Sequence, residues 1–230
     1  ISHFSRKTVF SQAAALSALL DKLTDEIREH EQEKLLYEIE MPLARVLAGM
    51  ECEGFALDTQ ALRDYGGELD DRIDETHAAI VEYAGYDFNL NSPKQVGAVL
   101  FVKLGLPAKK KTKTGYSTNV DVLEALRPQH PIIGEILEYR KLSKLKSTYV
   151  DGLVKVVGPD GRVRSTFQQT ETRTGRISST EPNLQNIPIR TEEGSRMRRF
   201  FTARPGWKLV DADYSQIELR VLADLADDQN

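Results

Sequence analysis

The stretch PIIGEILEYRKLSKLKSTYVDGLVKVVGPDGRVRSTFQQ, residues 131–169, carries the chain from one kind of structure into another. Ile132, Ile136, Tyr139, Leu142, Leu145 and Tyr149 recur at three- and four-residue spacings, which predicts a helix opened by Pro131 with one buried stripe. Beyond it, the Gly-Pro-Asp-Gly sequence at 158–161 predicts a tight turn, with KVV and RVRSTFQQ as the two arms of a β-hairpin. The fold class expected is α+β: mainly helical up to this stretch, mixed α/β after it.

Upstream, FSQAAALSALLDKLTDEIR (10–28), YEIEMPLARVLAGMECEGF (37–55) and TQALRDYGGELDDRIDETHAAIVEYAG (59–85) read as helices, with Gly54 and Gly85 as end signals. Ser92, Pro93 and Gln95 form a capping box that opens a helix to about Lys103, and Ser117 or Thr118 starts the next. Downstream, residues 168–190 hold only Ile177, Leu184, Ile187 and Ile189 as aliphatics, so a long polar loop is expected there. Its Arg173, Arg176, Asn183, Gln185, Asn186 and Arg190 are planar donors suited to base edges and phosphates. Every base pair offers a minor-groove acceptor, so such donors can check pair geometry without reading sequence.

The net charge of −4 conceals a division along the chain. Residues 1–100 carry 9 basic and 19 acidic side chains, 101–210 carry 21 and 10, and 211–230 carry 1 and 6. A concentrated basic block is the footprint of a polyanion partner. Within it, Lys109, Lys110, Lys111 and Lys113 crowd one loop, while Arg140, Lys141, Lys144 and Lys146 have no acidic residue among them up to Val150. Phosphate contact gives both groups a reason. Acids in the first hundred residues are scattered around the helical wheels and read as a solvated face. Cys52 is the single cysteine, read as a core thiol; it excludes an internal disulfide and a cysteine zinc site, and fits a reducing cytoplasm. No apolar run is long enough to span a bilayer. Since the chain opens on Ile1 without a signal pattern, a soluble segment of something longer is expected.

In WKLVDADYSQIELR (207–220), Trp207, Leu209 and Val210 predict a short strand whose pleat puts Asp211 and Asp213 on one face, with a helix from Ser215. Carboxylates at a strand-to-helix junction suit a hard divalent cation. They equally suit capping of the following helix, and residue types alone do not choose.

DADYSQIELR resembles the first acidic motif of the family A DNA polymerases. TRTGRISSTEPNLQNIPIR, EYRKLSKLKSTY and EMPLARVLAGMECEGFALD resemble bacterial members of that family in the same order, so nearly the whole chain is covered. The resemblance implies the last helix of an exonuclease-type domain and a linker (1–39), a thumb (40–155) and the first part of a palm (156–230). It implies template-directed DNA synthesis by two Mg2+ ions, with Asp213 and the Tyr214 carbonyl as metal ligands, Gln216 and Glu218 at the nucleotide, and Arg176 in the minor groove at the primer end. Lys144, Lys146 and the 109–113 lysines would grip DNA. The implied partners are primer–template DNA and deoxynucleoside triphosphates, bound by a cytoplasmic monomer. The family's fingers helix and second metal aspartate are not among these 230 residues, so the chain alone is expected to be inactive. Two other classes compete: a non-catalytic DNA-binding module, which would use only the basic block, and a metal nuclease using Asp211 and Asp213 together. A single-chain RNA polymerase is disfavoured, because Glu218 stands where a 2′-hydroxyl needs room.

Overall fold

A computed structural model of the chain describes residues 6–108, 111–112, 115–188 and 191–227. Helix α1 (Arg6–Glu29) comes first, with Leu16, Leu19, Leu20 and Leu23 exposed along it. A wide π-type turn, Leu35–Glu40, runs into α2 (Met41–Glu53). Gly54 ends α2 with φ 63°, and a Cβ there would lie 2.7 Å from the Val163 carbonyl oxygen, so only glycine lets the next strand approach. That strand, β1 (Phe55–Leu57), is central in a three-stranded antiparallel sheet, with Phe55 opposite Val163 of β4 (Arg162–Val163) and Leu57 opposite Phe201 of β7 (Phe201–Thr202).

The helix α3 (Thr59–Ala84) starts where the Asp58 carboxylate accepts from the Ala61 N–H at 3.0 Å and stops at the left-handed Gly85. At α4 (Pro93–Gly97) the capping box forms only in part. Ser92 accepts from Gln95 N–H at 3.4 Å, but the Gln95 side chain takes the Asn89 N–H. Two-residue strands β2 (Lys111–Thr112) and β3 (Gly115–Tyr116) pair antiparallel. Asn119, not Ser117 or Thr118, caps α5 (Val120–Leu126).

The stripe read from residues 131–149 is the seam of the molecule. In α6 (Ile132–Lys144), Ile132 and Ile136 lie in one core with Ile80, Val96, Leu100 and Leu123. Leu142 and, past the helix end, Leu145 lie in a second core with Leu62, Tyr65, Leu69 and Val163. One amphipathic helix thereby packs on both ends of α3, each fully buried aliphatic contributing about 1.5–3 kcal/mol.

Four expectations are corrected. Residues 155–156 close α7 (Asp151–Val156) instead of forming a hairpin arm, because Leu153 reaches the core in helical register and β4 finds its partner in β1. The polar stretch after 168 is not all loop: β5 (Thr166–Gln168) pairs with β6 (Ser178–Thr180), Phe167 opposite Ser179. Residues 207–210 form no strand, since no described strand runs beside them to take their N–H and C=O groups; Trp207 and Val210 are 66% and 88% exposed. Cys52 is exposed, because Leu47 is the only residue that α2 buries. No helix among the described residues is long and apolar enough to cross a membrane.

Candidate nucleic-acid interface and acidic junction

The donor-rich segment hangs from the β5–β6 hairpin, whose base is tied to the helices where the Glu51 carboxylate accepts from the Phe167 N–H at 2.6 Å. The structure divides its donors. Gln185 is committed to its own hairpin, its amide donating to the Ile177 carbonyl at 2.8 Å and accepting from the Ser179 N–H at 3.2 Å. Asn183 caps a short turn by accepting from the Gln185 N–H at 3.0 Å. The reading of Gln185 as a free donor is therefore corrected. Asn186 gives its carbonyl to the Tyr149 hydroxyl at 2.5 Å, leaving its side chain exposed. Arg173 and Arg176 are exposed, and Arg190 lies outside the described residues.

On the acidic side, Asp211, Asp213 and Tyr214 are exposed on an irregular segment. Gln216 takes a left-handed conformation, φ 52°, and starts α9 (Ile217–Leu225) without a side-chain cap. Capping is thus not the work of either aspartate, and neither has a hydrogen bond or ion pair among the described residues. Glu218, in the first turn of α9, accepts from Arg176 at 3.0 Å. This ion pair joins the donor loop to the acidic junction, and with both side chains more than 70% exposed it stabilises weakly. The Asp213 carboxylate and Tyr214 carbonyl fit a hard cation by donor type, but such a cation takes about six oxygens. Among the described residues no three acidic, His or Cys side chains gather into a metal-binding group.

The basic block also divides. Lys146, expected to be unneutralised, bridges Asp151 at 3.1 Å and Asp70 at 3.4 Å with its side chain 23% exposed, because Asp151 opens α7 just beyond the basic run and α3 brings Asp70 from far earlier in the chain. Burial opposes its charge, and the hydrogen bonds it donates to these acids outweigh that and raise its pKa. Lys144 is exposed and has no ion pair among the described residues. Lys109, Lys110 and Lys113 lie outside the described residues; Lys111 is described only as backbone, in β2. Arg140, read with these basics as a phosphate contact, instead donates to the Thr118 carbonyl at 2.5 Å and hydroxyl at 3.3 Å, burial lowering its pKa. It backs an open recess of about 760 Å3 with Asn91, Ser92, Lys94 and Asn119. The signal available for this recess was the pair of capping sequences at 89–92 and 117–119, which cluster hydroxyls and amides at helix starts.

From this division, Lys144→Ala is expected to weaken duplex binding and lower the salt slope by about 1, whereas Lys146→Ala leaves the slope unchanged. Fluorescence anisotropy over a salt series decides; equal slopes for the two variants would remove Lys144 from the interface.

The chain matches the family model DNA polymerase family A over residues 59–230. It is 56% identical over 221 residues to DNA polymerase I of Geobacillus stearothermophilus, covering 95% of this chain and 25% of that protein. Against DNA polymerase I of Bacillus subtilis it is 50% identical over 230 residues, covering 99% and 26%. Among solved structures it superposes with a TM-score of 0.86 and 44% identity on the POL domain of Pol1 from M. smegmatis in complex with DNA primer-template and dNTP, covering 97% of this chain and 40% of that one. The chain thus spans about a quarter of the length of the curated relatives it matches. A family model matched through the donor loop and the acidic junction, with half or more identity to bacterial relatives, leaves one assignment: the chain belongs to DNA polymerase family A.

Proposed function

We propose that this chain is the duplex-gripping and primer-end part of a template-directed DNA polymerase, acting in replication and repair. The observation that carries the reading is the Arg176–Glu218 contact at 3.0 Å, because it joins a minor-groove donor to the helix that follows Asp213. Residues 40–155 act as thumb and 156–230 as the first part of the palm, with 1–39 the end of an exonuclease-type domain and its linker. Lys144, the lysines at 109–113 and the Arg140 recess hold phosphates; Arg176, Arg173 and Asn186 face the minor groove at the primer terminus. Gln216 and Glu218 flank the incoming nucleotide. Asp213 and the Tyr214 carbonyl contribute ligands to Mg2+, which, when bound, activates the primer 3′-hydroxyl and steadies the triphosphate. Among the described residues no protein contact of the Asp213 side chain competes with such a role.

The test uses the 230-residue chain with a labelled primer–template. Binding is expected without sequence preference, falling by about 1,000-fold or more between 50 and 200 mM salt if six or more phosphates are contacted. With Mg2+ and deoxynucleotides the chain alone is expected not to extend the primer, since one metal aspartate without a second cannot hold two ions. Salt-independent binding sinks the phosphate-led reading, and extension by the chain alone sinks the assignment of its missing ligand. A non-catalytic DNA-binding module would share the salt slope but ignore Asp213.

A further inference from the structure

Glu193 lies at the second position of α8 (Glu192–Arg198), just past the donor loop, with its side chain only 14% exposed. It accepts from Lys141 of α6 at 2.9 Å and from Arg72 of α3 at 3.3 Å. Both cations also bond Glu138 of α6, Arg72 at 2.7 Å and Lys141 at 3.1 Å. Two cations and two carboxylates from three helices thus close a ring. Burial works to raise the Glu193 pKa, but the hydrogen bonds from Lys141 and Arg72 outweigh it and hold the carboxyl below its ordinary range. The ring is therefore charged at neutral pH.

What the ring holds is the end of the donor loop. Gly194 sits so close to Pro188 that a Cβ would lie 2.5 Å from the proline Cβ, so the first turn of α8 packs directly on the end of the loop. Tyr149 grips the Asn186 carbonyl, and Leu184 and Ile187 pack on the core that contains Met197 of α8. Leu153, Val163 and Met197 share that core, so loop, sheet and helices meet as one body. Among the described residues the Arg176 side chain is tied only to the exposed Glu218, while its carbonyl accepts from the Thr172 hydroxyl within the loop, so its orientation is inherited from the loop.

Resting on the polymerase reading above, we infer that Glu193 is a positioning residue: by clamping α8 to α3 and α6 it sets the angle at which the loop presents Arg176 to the minor groove at the primer end. An apolar brace would hold α8 without direction, whereas a ring of four charges is satisfied in one arrangement.

The experiment places Glu193→Gln in a complete polymerase containing this chain. It measures kcat/KM for extension of primers ending in guanine or in 3-deazaguanine, which lacks the minor-groove N3 acceptor. Lost positioning is expected to cost about 10-fold on guanine ends and less than about 2-fold on 3-deazaguanine ends, where the contact is already absent. Lys141→Met removes the partner charge and is expected to give the same pattern, which keeps the proposal testable if the first variant folds poorly. An equal loss on both ends, or no loss on either, overturns the positioning role while leaving the polymerase reading intact. If the unaltered enzyme is indifferent to 3-deazaguanine, the minor-groove role of Arg176 falls, and the inference with it.

Discussion

Asp213→Asn in a complete polymerase containing this chain is expected to cut primer extension by about 1,000-fold or more, equivalent to about 4 kcal/mol of transition-state stabilisation. Affinity for primer–template is expected to stay within about 2-fold, because phosphate contacts dominate duplex binding and the carboxylate makes none. The physical basis is the uncommitted state of the side chain. Asp213 is exposed, caps nothing and pairs with nothing among the described residues, so replacing it disturbs no contact among them and removes an anionic oxygen donor. Asp211→Asn is the control, two residues away and equally exposed, and near-normal extension is expected of it. Single-turnover extension together with anisotropy separates the readings. A DNA-binding module predicts no loss of extension for either variant, since extension would belong to residues elsewhere. A nuclease built on both aspartates predicts comparable losses of hydrolysis for both. Retained extension by Asp213→Asn would end the assignment.

The parts of this structure that sequence discloses are those governed by neighbours along the chain. The α6 stripe, the Ser92 cap and the Gly85 stop each follow from residues within about one or two turns, where spacing determines contact. Arrangements that depend on partners beyond a turn or two of the chain are not legible in the same way. Lys146 looked unneutralised because Asp70 lies far earlier in the sequence, and only packing of the turn after α6 on α3 brings the two together. Gln185 looked like a free donor because its acceptor and donor partners, at 177 and 179, are set by hairpin register. Residues 207–210 have the composition of a strand, yet strand formation is a property of a pair, and composition names no partner. The candidate site shows the same division. DADYSQIELR was legible as a motif, whereas the Arg176–Glu218 contact and the Glu193 ring, each spanning 42 residues or more, became visible only in three dimensions.

Glu218→Ala is expected to raise the ratio of kcat/KM for ribonucleotides over deoxynucleotides by about 10- to 100-fold in the complete enzyme, a change of about 1.4–3 kcal/mol in discrimination. Glu218 lies in the first turn of α9, five residues beyond Asp213, so a nucleotide whose phosphates meet an ion held by Asp213 would set its sugar near this side chain. An added 2′-hydroxyl then overlaps the carboxylate or its stem, and exclusion by overlap discriminates more sharply than a missing contact. The ion pair to Arg176 adds a second consequence, because truncation also releases a guanidinium that Glu218 holds in the described structure. Some loss of deoxynucleotide efficiency is therefore expected from Arg176 alone. Arg176→Ala distinguishes the two effects: it breaks the same pair but leaves the carboxylate in place, so it should lower extension without moving the ribo-to-deoxy ratio. If both variants move the ratio equally, Glu218 acts through Arg176 and not on the sugar. If neither moves it, the carboxylate serves only to orient the donor loop, and sugar selection lies with another residue.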